Sequence, residues 1–279
     1  IIMDSAGNLW VADANNHRVK KYNSAGVLIG WIGKGNLSSG WHAAGSPETS
    51  QPGSGNSEFD TVTGVAVDSL NNLYVVDSGN KKVKKFNSAG SYVKTFETDA
   101  LVISTYNSPN KLAVDADNKV YVSDAATNKI LRFTSDGSFE VEFGGAGSGN
   151  GQFSGISGIV VSADKKIYAA DTNNHRVQVL DASGAFVKAW GSFGSGDSQF
   201  NSPVGIALDS ASSVYVADTG NNRVQKFNSA GTHISNTGSS GAGDGQFNKP
   251  TAVAVTSSRD TFFVTDKNNN RVQKFVREP

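Results

Sequence analysis

The chain has no cysteine in its 279 residues. Disulfides, thiolate metal sites and thiol nucleophiles are therefore excluded, and either redox compartment is open to it. It has no excess charge: 25 basic residues balance 25 acidic ones. That argues against affinity built on neutralising nucleic-acid phosphates or anionic lipid. No apolar run approaches the ~18 residues a membrane-spanning helix needs. No basic segment followed by an apolar stretch opens the chain either, and "IIMDSAGNLW" already reads as strand. Any secretion signal has been removed or lies outside this sequence. Histidine is scarce, at four residues, so a zinc site of three or four converging ligands has little to draw on.

Present in abundance is repetition. "DANNHRVKKY" (13–22) returns as "DSGNKKVKKF", "DAATNKILRF", "DTNNHRVQVL", "DTGNNRVQKF" and "DKNNNRVQKF". The leading residues are Asp13, Asp77, Asp124, Asp171, Asp218 and Asp266, spaced 64, 47, 47, 47 and 48 apart. Six units of about 47 residues follow, the first enlarged by a 17-residue insertion. Each unit reads as four short strands. In the second they are "TGVAVD", "LYVVD", "KVKKF" and "SYVKTF", separated by Asn/Ser/Gly turns. No helix is predicted. A four-stranded unit repeated four to eight times is the pattern of a β-propeller blade. The expectation is an all-β chain, a six-bladed propeller of four-stranded antiparallel blades. The blades fall at about 1–58, 59–105, 106–152, 153–199, 200–246 and 247–279, in a single domain. The sixth unit stops after its third strand. We expect its outer strand to come from upstream sequence of a longer protein, or from a neighbouring molecule.

The D-x-x-N-[HN]-R-V core, the following K-F and N-S-A-G, and the approach "GAGDGQFNKP" (241–250) resemble the NHL repeat. The resemblance covers essentially the whole chain. It implies a propeller but does not choose a function: NHL propellers include RNA-binding modules, sensor domains of bacterial kinases, a peptide-amidating lyase and protein-interaction platforms.

The segment "DTNNHRV" (171–177) gathers a carboxylate, amides, an imidazole and a guanidinium, as a catalytic or metal site would. A motif present in every unit is nevertheless architecture unless the site itself repeats sixfold. We read the acid as capping its turn and pairing with the basic residue that opens the next strand. The pairs are Asp13/Arg18, Asp77/Lys82, Asp124/Lys129, Asp171/Arg176, Asp218/Arg223 and Asp266/Arg271. Asp4, Asp68, Asp115 and Asp209 sit at first turns, where Asp is favoured. "DADNK" (115–119) lacks the glycine and the closing Glu of a calcium loop.

Departures from the repeat are then the functional candidates. The insertion, 34–60, carries Trp41 and His42 and is placed on the face that holds the D-x-x-N turns. Trp10 fills a second-strand aromatic slot. Trp31 and Trp190 are assigned an outer-strand slot shared with Phe96 and Phe143, which leaves Trp41 alone off the pattern. It either plugs a Gly/Ser-rich loop onto the propeller or anchors a partner. A second departure, 97–112, brings an apolar run (101–103), Tyr106 in a Phe slot, and Lys111 where other units have Gly64, Gly158, Gly205 or Ala252. With Lys81 and Asn110, Lys111 forms a second candidate contact near the propeller axis. Gluconolactonase-like propellers place Glu, Asn and Asp around an axial calcium, but here no Glu falls on an inner strand, so no cofactor and no catalytic residue is assigned.

The favoured reading is a non-enzymatic module of a secreted or cell-surface bacterial protein, binding a protein, glycan or small molecule on the insertion-bearing face. The setting rests on low charge and abundant Gly, Ser, Asn and Thr. The alternatives are a metal-dependent lyase or lactonase with an axial calcium or zinc, and an RNA-binding domain. Neutral charge weighs against the last.

Overall fold

The computed structural model describes residues 1–36, 38–47, 49–96, 107–256 and 261–276. The chain forms two compact units, 1–142 and 143–279. In the first unit, β1 (Ile2–Met3), β2 (Leu9–Asp13), β3 (Arg18–Tyr22), β4 (Leu28–Lys34) and β5 (Ser39–Ala43) make a five-stranded sheet in sequential order. The second sheet is β6 (Val62–Val67), β7 (Leu73–Asp77), β8 (Lys82–Phe86) and β9 (Tyr92–Phe96). The third is β10 (Pro109–Val114), β11 (Val120–Asp124), β12 (Lys129–Phe133) and β13 (Phe139–Gly144).

The second unit repeats the scheme. Its first sheet is β14 (Ile156–Val161), β15 (Ile167–Asp171), β16 (Arg176–Leu180) and β17 (Phe186–Trp190). The next is β18 (Pro203–Leu208), β19 (Val214–Asp218), β20 (Arg223–Phe227) and β21 (His233–Thr237). A short parallel pair, β22 (Ser239–Ser240) and β23 (Gln246–Phe247), leads to a three-stranded sheet of β24 (Pro250–Val255), β25 (Thr261–Asp266) and β26 (Arg271–Val276). Six small antiparallel sheets, each a meander, define the six-bladed β-propeller class, and the last has three strands. Among the described residues no helix is long and apolar enough to cross a membrane.

The strand sequences follow from what each strand must cover. The second strands β7, β11, β15 and β19 are buried at every position. In β7 and β19 both faces meet neighbouring sheets, so these strands read as near-continuous apolar runs, where a half-exposed strand would alternate. Tyr74 and Val76 pack with Leu112, Val120 and Phe133 of the following sheet. Tyr168 and Val177 do the same with Ile206, Val214 and Phe227. Innermost strands approach backbone to backbone. A Cβ on Gly205 would lie 2.6 Å from the Ala252 Cα and 2.7 Å from the Thr251 carbonyl, which is why small residues recur there.

First turns are capped by the expected acids. Asp68 Oδ1 accepts the Leu70 and Asn72 N–H groups at 3.0 and 2.8 Å, and its Oδ2 accepts the Tyr74 hydroxyl. Asp115 does likewise with Asp117, Lys119 and Tyr121, so "DADNK" is an Asx turn.

Gly205→Ala is expected to destabilise the protein by roughly 1–3 kcal/mol, because the neighbour it meets is backbone and cannot rotate away. A thermal melt unchanged from wild type would contradict the close-packed inner strands.

Candidate functional site

Where the three residues after the acid form a single 3₁₀ turn, as at 172–174, the fifth residue after the acid enters the next strand. The residue before it must take a left-handed conformation. His17, Lys81, Asn128, His175, Asn222 and Asn270 all have φ between 50° and 56°. That region is costly for most side chains and least so for Asn.

In blades two to six the repeated acid is a hub that ties the blade to the loop approaching it. Fully buried Asp218 accepts the Asn201 N–H (2.8 Å), Asn221 Nδ2 (2.9 Å), Arg223 Nε (2.8 Å) and Gln225 Nε2 (3.1 Å). Oδ2 takes three of these bonds and Oδ1 one, so both carboxylate oxygens are satisfied. The donors then reach onward into the approach loop. Asn221 bonds the Gly194 carbonyl, Arg223 those of Gly196 and Gln199, and Gln225 that of Gln199. Asp171 and Asp266 head the same networks with Asn174, Arg176 and Gln178, and with Asn269, Arg271 and Gln273. Burial raises the Asp266 pKa, but these donors outweigh it and hold the carboxyl below its ordinary value. The amide at the seventh position after the acid is a part of the hub that the sequence reading missed.

In blade one, Arg18 Nε meets Asp13 at 2.8 Å. Two other assigned pairs need correction. In blade two the cation on Asp77 is Lys84, 1% exposed and 2.8 Å from Oδ2, in place of Lys82. Lys84 stands at the position of Gln178, Gln225 and Gln273, and it also bonds the Gly55 and Glu58 carbonyls. Its burial lowers its pKa, against the pull of Asp77. Glu58 changes in step: it replaces the loop glutamine seen as Gln152, Gln199 and Gln246, and accepts the Gly55 N–H as they accept Gly149, Gly196 and Gly243. In blade three Lys129 turns away to Glu142, and Asp124 accepts the Asn107, Ser108, Ala126 and Thr127 N–H groups.

The left-handed residue clasps the next blade. His17 Nδ1 accepts the Thr61 N–H at 3.1 Å, and His175 Nδ1 accepts the Ser202 N–H at 3.1 Å. Asn222 Oδ1 does the same for Lys249, at 2.8 Å. "DTNNHRV" is therefore a joint between strand, loop and neighbouring blade.

The 34–60 insertion corrects a second expectation. It supplies a fifth strand, β5, which pairs with β4 along the outer edge of the first sheet: Ile32 faces Trp41 and Trp31 faces His42. Register also reassigns Trp31. The outer-strand slot of Phe96 and Trp190 lies opposite Val83 and Val177, and in blade one it is Ile32, opposite Val19. Trp41 makes up the missing bulk. A Cβ on Gly90, in the third turn of blade two, would meet Trp41 at 2.9 Å, just as one on Gly231 would meet Trp190 at 2.9 Å. Trp41 also stands edge-on to Trp10 at 6.1 Å, as Trp190 does to Tyr168 at 6.5 Å. His42 stacks on Trp31 at 3.8 Å, with Nε2 3.2 Å from the Gly33 carbonyl oxygen. Ser39 donates to Glu58 Oε1 at 2.8 Å, pinning β5 to the approach loop.

The second candidate group lies elsewhere, at the start of innermost strand β10. Lys81 Nζ reaches Asn107 Oδ1 at 3.5 Å, and Lys111 Nζ donates to the Thr63 carbonyl. Asn110 and Lys111 are adjacent on β10, and the backbone there abuts Gly64. The structure brings Lys81, Asn110 and Lys111 to one junction between blades two and three, and separates them from Trp41 and His42. Tyr106 and the apolar run 101–103 lie outside the described residues.

One residue the sequence reading passed over stands out. Phe193, in the loop between β17 and β18, is 67% exposed, with its ring 4.9 Å from that of His175. The matching residues of the neighbouring loops, which bridge Phe153 and Phe247 as Phe193 bridges Phe200, are Ala146 and Ser240. Among the described residues, no three of His, Asp and Glu gather closely enough to hold a metal ion.

The sequence profile of the NHL repeat matches residues 2–22, 59–86, 153–180, 200–227 and 247–275. The chain belongs to the NHL-repeat β-propellers. The unit without a match is the third, where Lys129 and Leu131 replace the Arg and Gln of the hub. No curated protein sequence matches significantly. Among solved structures, a streptogramin B lyase is similar over 100% of this chain and 82% of its own, at 13% identity and a TM-score of 0.63. A gluconolactonase from Xanthomonas campestris is similar over 94% and 80%, at 14% identity and 0.64. Nidogen, from a complex with laminin, is similar over 96% and 89%, at 15% identity and 0.66. At these identities the likeness is one of fold.

Trp41→Ala is expected to cost roughly 1–2 kcal/mol, the loss of a ring that is 36% exposed but packs edge-on to Trp10 and over Gly90. A denaturant melt within experimental error of wild type would remove its structural role. Lys84→Ala should cost about 3–5 kcal/mol, since it strands buried Asp77. The double variant Glu58→Gln, Lys84→Gln copies the amide pair of the later blades. It should recover more than half of that loss in the same melts, and no recovery would contradict the equivalence of the two pairs.

Proposed function

We propose that the chain is a non-enzymatic binding module of a secreted or cell-surface bacterial protein. It takes a protein, glycan or small-molecule ligand on the face built by the D-x-x-N turns and approach loops. The observation that carries this reading is Phe193. Ala146 and Ser240 hold the same loop position, so the loop does not need an aromatic ring there. The ring is displayed on a backbone fixed by the Asp218 hub, and a pre-ordered aromatic costs little further entropy on binding. His175 beside it is oriented by the Ser202 N–H, which occupies Nδ1 and leaves the proton of the neutral ring on Nε2. In the other unit, Lys81, Asn110 and Lys111 supply polar contacts on the same type of surface. Balanced charge weighs against a phosphate-driven nucleic-acid partner. The setting rests on composition.

A strand partner is a further part of the proposal. β26 has a neighbour on one side only among the described residues. Its third-strand counterpart β20 is buried at four of five positions, whereas β26 is buried at none. Elsewhere the outer strand sets an aromatic ring on the last Phe of the third strand: Tyr92 on Phe86, Phe139 on Phe133, His233 on Phe227. A segment added to the free side of β26 as a fourth strand would bring such a ring to Phe275.

A glycan and peptide array, with hits retested by calorimetry, tests the ligand-binding reading. Phe193→Ala should weaken a hit about tenfold, the effect of removing an aromatic anchor, with the melting temperature unchanged. Hits indifferent to Phe193→Ala, Lys81→Ala and Lys111→Ala would overturn the assignment of this face.

A further inference from the structure

The approach loop of blade four contains the one Asn-Gly pair of the sequence, Asn150–Gly151. In such a pair the glycine nitrogen, unshielded by a side chain, can attack the asparagine Cγ. The N–Cγ bond forms, the Cγ–Nδ2 bond breaks, and ammonia leaves with the proton the nitrogen gives up. Water then opens the resulting succinimide at one of its two carbonyls. One opening gives aspartate. The other gives isoaspartate, whose main chain runs through Cβ and Cγ. The reaction needs no oxidant, reductant or cofactor.

This pair sits in a defined geometry. Asn150 is exposed at the first corner of a turn closed by the Gln152 N–H on the Gly149 carbonyl, 3.2 Å. Gly151 takes the second corner at φ +74°, as a type II turn requires. The would-be nucleophile is already engaged: the Gly151 N–H donates to Gln178 Oε1 at 3.0 Å. Gln178 is fully buried and is itself anchored on Asp171 Oδ2 at 3.0 Å. The attacking nitrogen is thus part of the blade-four hub, and the ring can close only when that bond opens.

The chain carries its own controls. The residues matching Asn150 in the next two loops are Asp197 and Asp244, at the same corner of the same turn. Those turns close through Gln199 on Gly196 and Gln246 on Gly243, each at 3.1 Å. The following N–H groups bond Gln225 Oε1 at 3.2 Å and Gln273 Oε1 at 3.0 Å. An aspartate at 150 is therefore a residue this loop already accepts. An isoaspartate inserts an extra main-chain carbon and moves the Gly151 nitrogen off Gln178.

We propose that Asn150 is a site of spontaneous deamidation, gated by the hydrogen bond from Gly151 to Gln178. Its aspartate product is neutral to the fold, and its isoaspartate product loosens the blade-four hub.

The full chain is incubated in mildly alkaline buffer, native and in urea, and peptides are mapped by mass spectrometry. Conversion at Asn150 should lead every other asparagine in urea and be slower in the native protein. Gln178→Ala should speed the native reaction roughly tenfold, the factor expected when one hydrogen bond no longer has to open first. Asn150→Asp should melt with wild type, and the isoaspartate-bearing fraction should melt lower. If Gln178→Ala fails to fold, the native-to-urea comparison decides alone. A native rate equal to that in urea overturns the gate. Earlier conversion of an Asn-Ser pair such as Asn201–Ser202 overturns the site.

Discussion

The structure depends on a carboxylate that is buried and still fully hydrogen-bonded. An aspartate at the end of a second strand would be costly without partners, because a buried charge must be paired and its lone pairs filled. Blades two, four, five and six meet that demand from three directions: the blade's own turn, its own third strand, and the loop that arrives from the blade before. Asp218 takes a backbone N–H from residue 201, an amide from 221, a guanidinium from 223 and a second amide from 225. The loop is thereby fixed in position by the demand of the acid. The glycines of "GxGxGQF" follow from this, since their carbonyls must turn inward to meet the same donors. Chemistry-bearing residue types thus recur because the joint between blades is polar, buried and hydrogen-bonded throughout.

The same constraint explains how the hub varies. In blade two the loop glutamine becomes Glu58 and the strand glutamine becomes Lys84, so an amide pair is exchanged for a charged pair. In blade three the arginine and glutamine positions are Lys129 and Leu131, and Asp124 turns to backbone N–H groups around it. A lone change at one of these positions would strand a buried group, whereas a concerted change keeps the hub satisfied.

Much of this was legible in the sequence. The 47-residue period, the four strands per unit and the turn chemistry all state the blade directly. The misreadings share a physical cause. Trp31 and Trp190 look equivalent by residue type, but a strand has a period of two, so an offset of one residue sends the side chain to the opposite face. Only the pairing of Ile32 with Val19 shows which residue fills the slot. β5 was missed because "SGWHA" has little intrinsic strand preference. It is a strand because β4 offers it an edge and Glu58 holds Ser39. Lys84 was missed because its partner, Asp77, is seven residues back on a neighbouring strand, while Lys82 occupies the arginine position.

A departure from repetition is therefore of two kinds. Trp41 departs in sequence but repairs the repeat in space: it fills the gap that Ile32 leaves against Gly90, and half of its apparent novelty disappears once the register is known. Phe193 departs in the other sense. Its loop closes identically around Ala146, Phe193 and Ser240, so the ring adds nothing that the loop requires, and it remains in solvent. Single exposed apolar residues are common on protein surfaces and carry little weight by themselves. Phe193 carries more because two copies of its own loop show the alternative at work, and because the residue it touches, His175, is held in one orientation by the neighbouring blade. In a repeat protein the question to ask of an unusual residue is whether its blade would be incomplete without it. For Trp41 the answer is yes, and for Phe193 it is no.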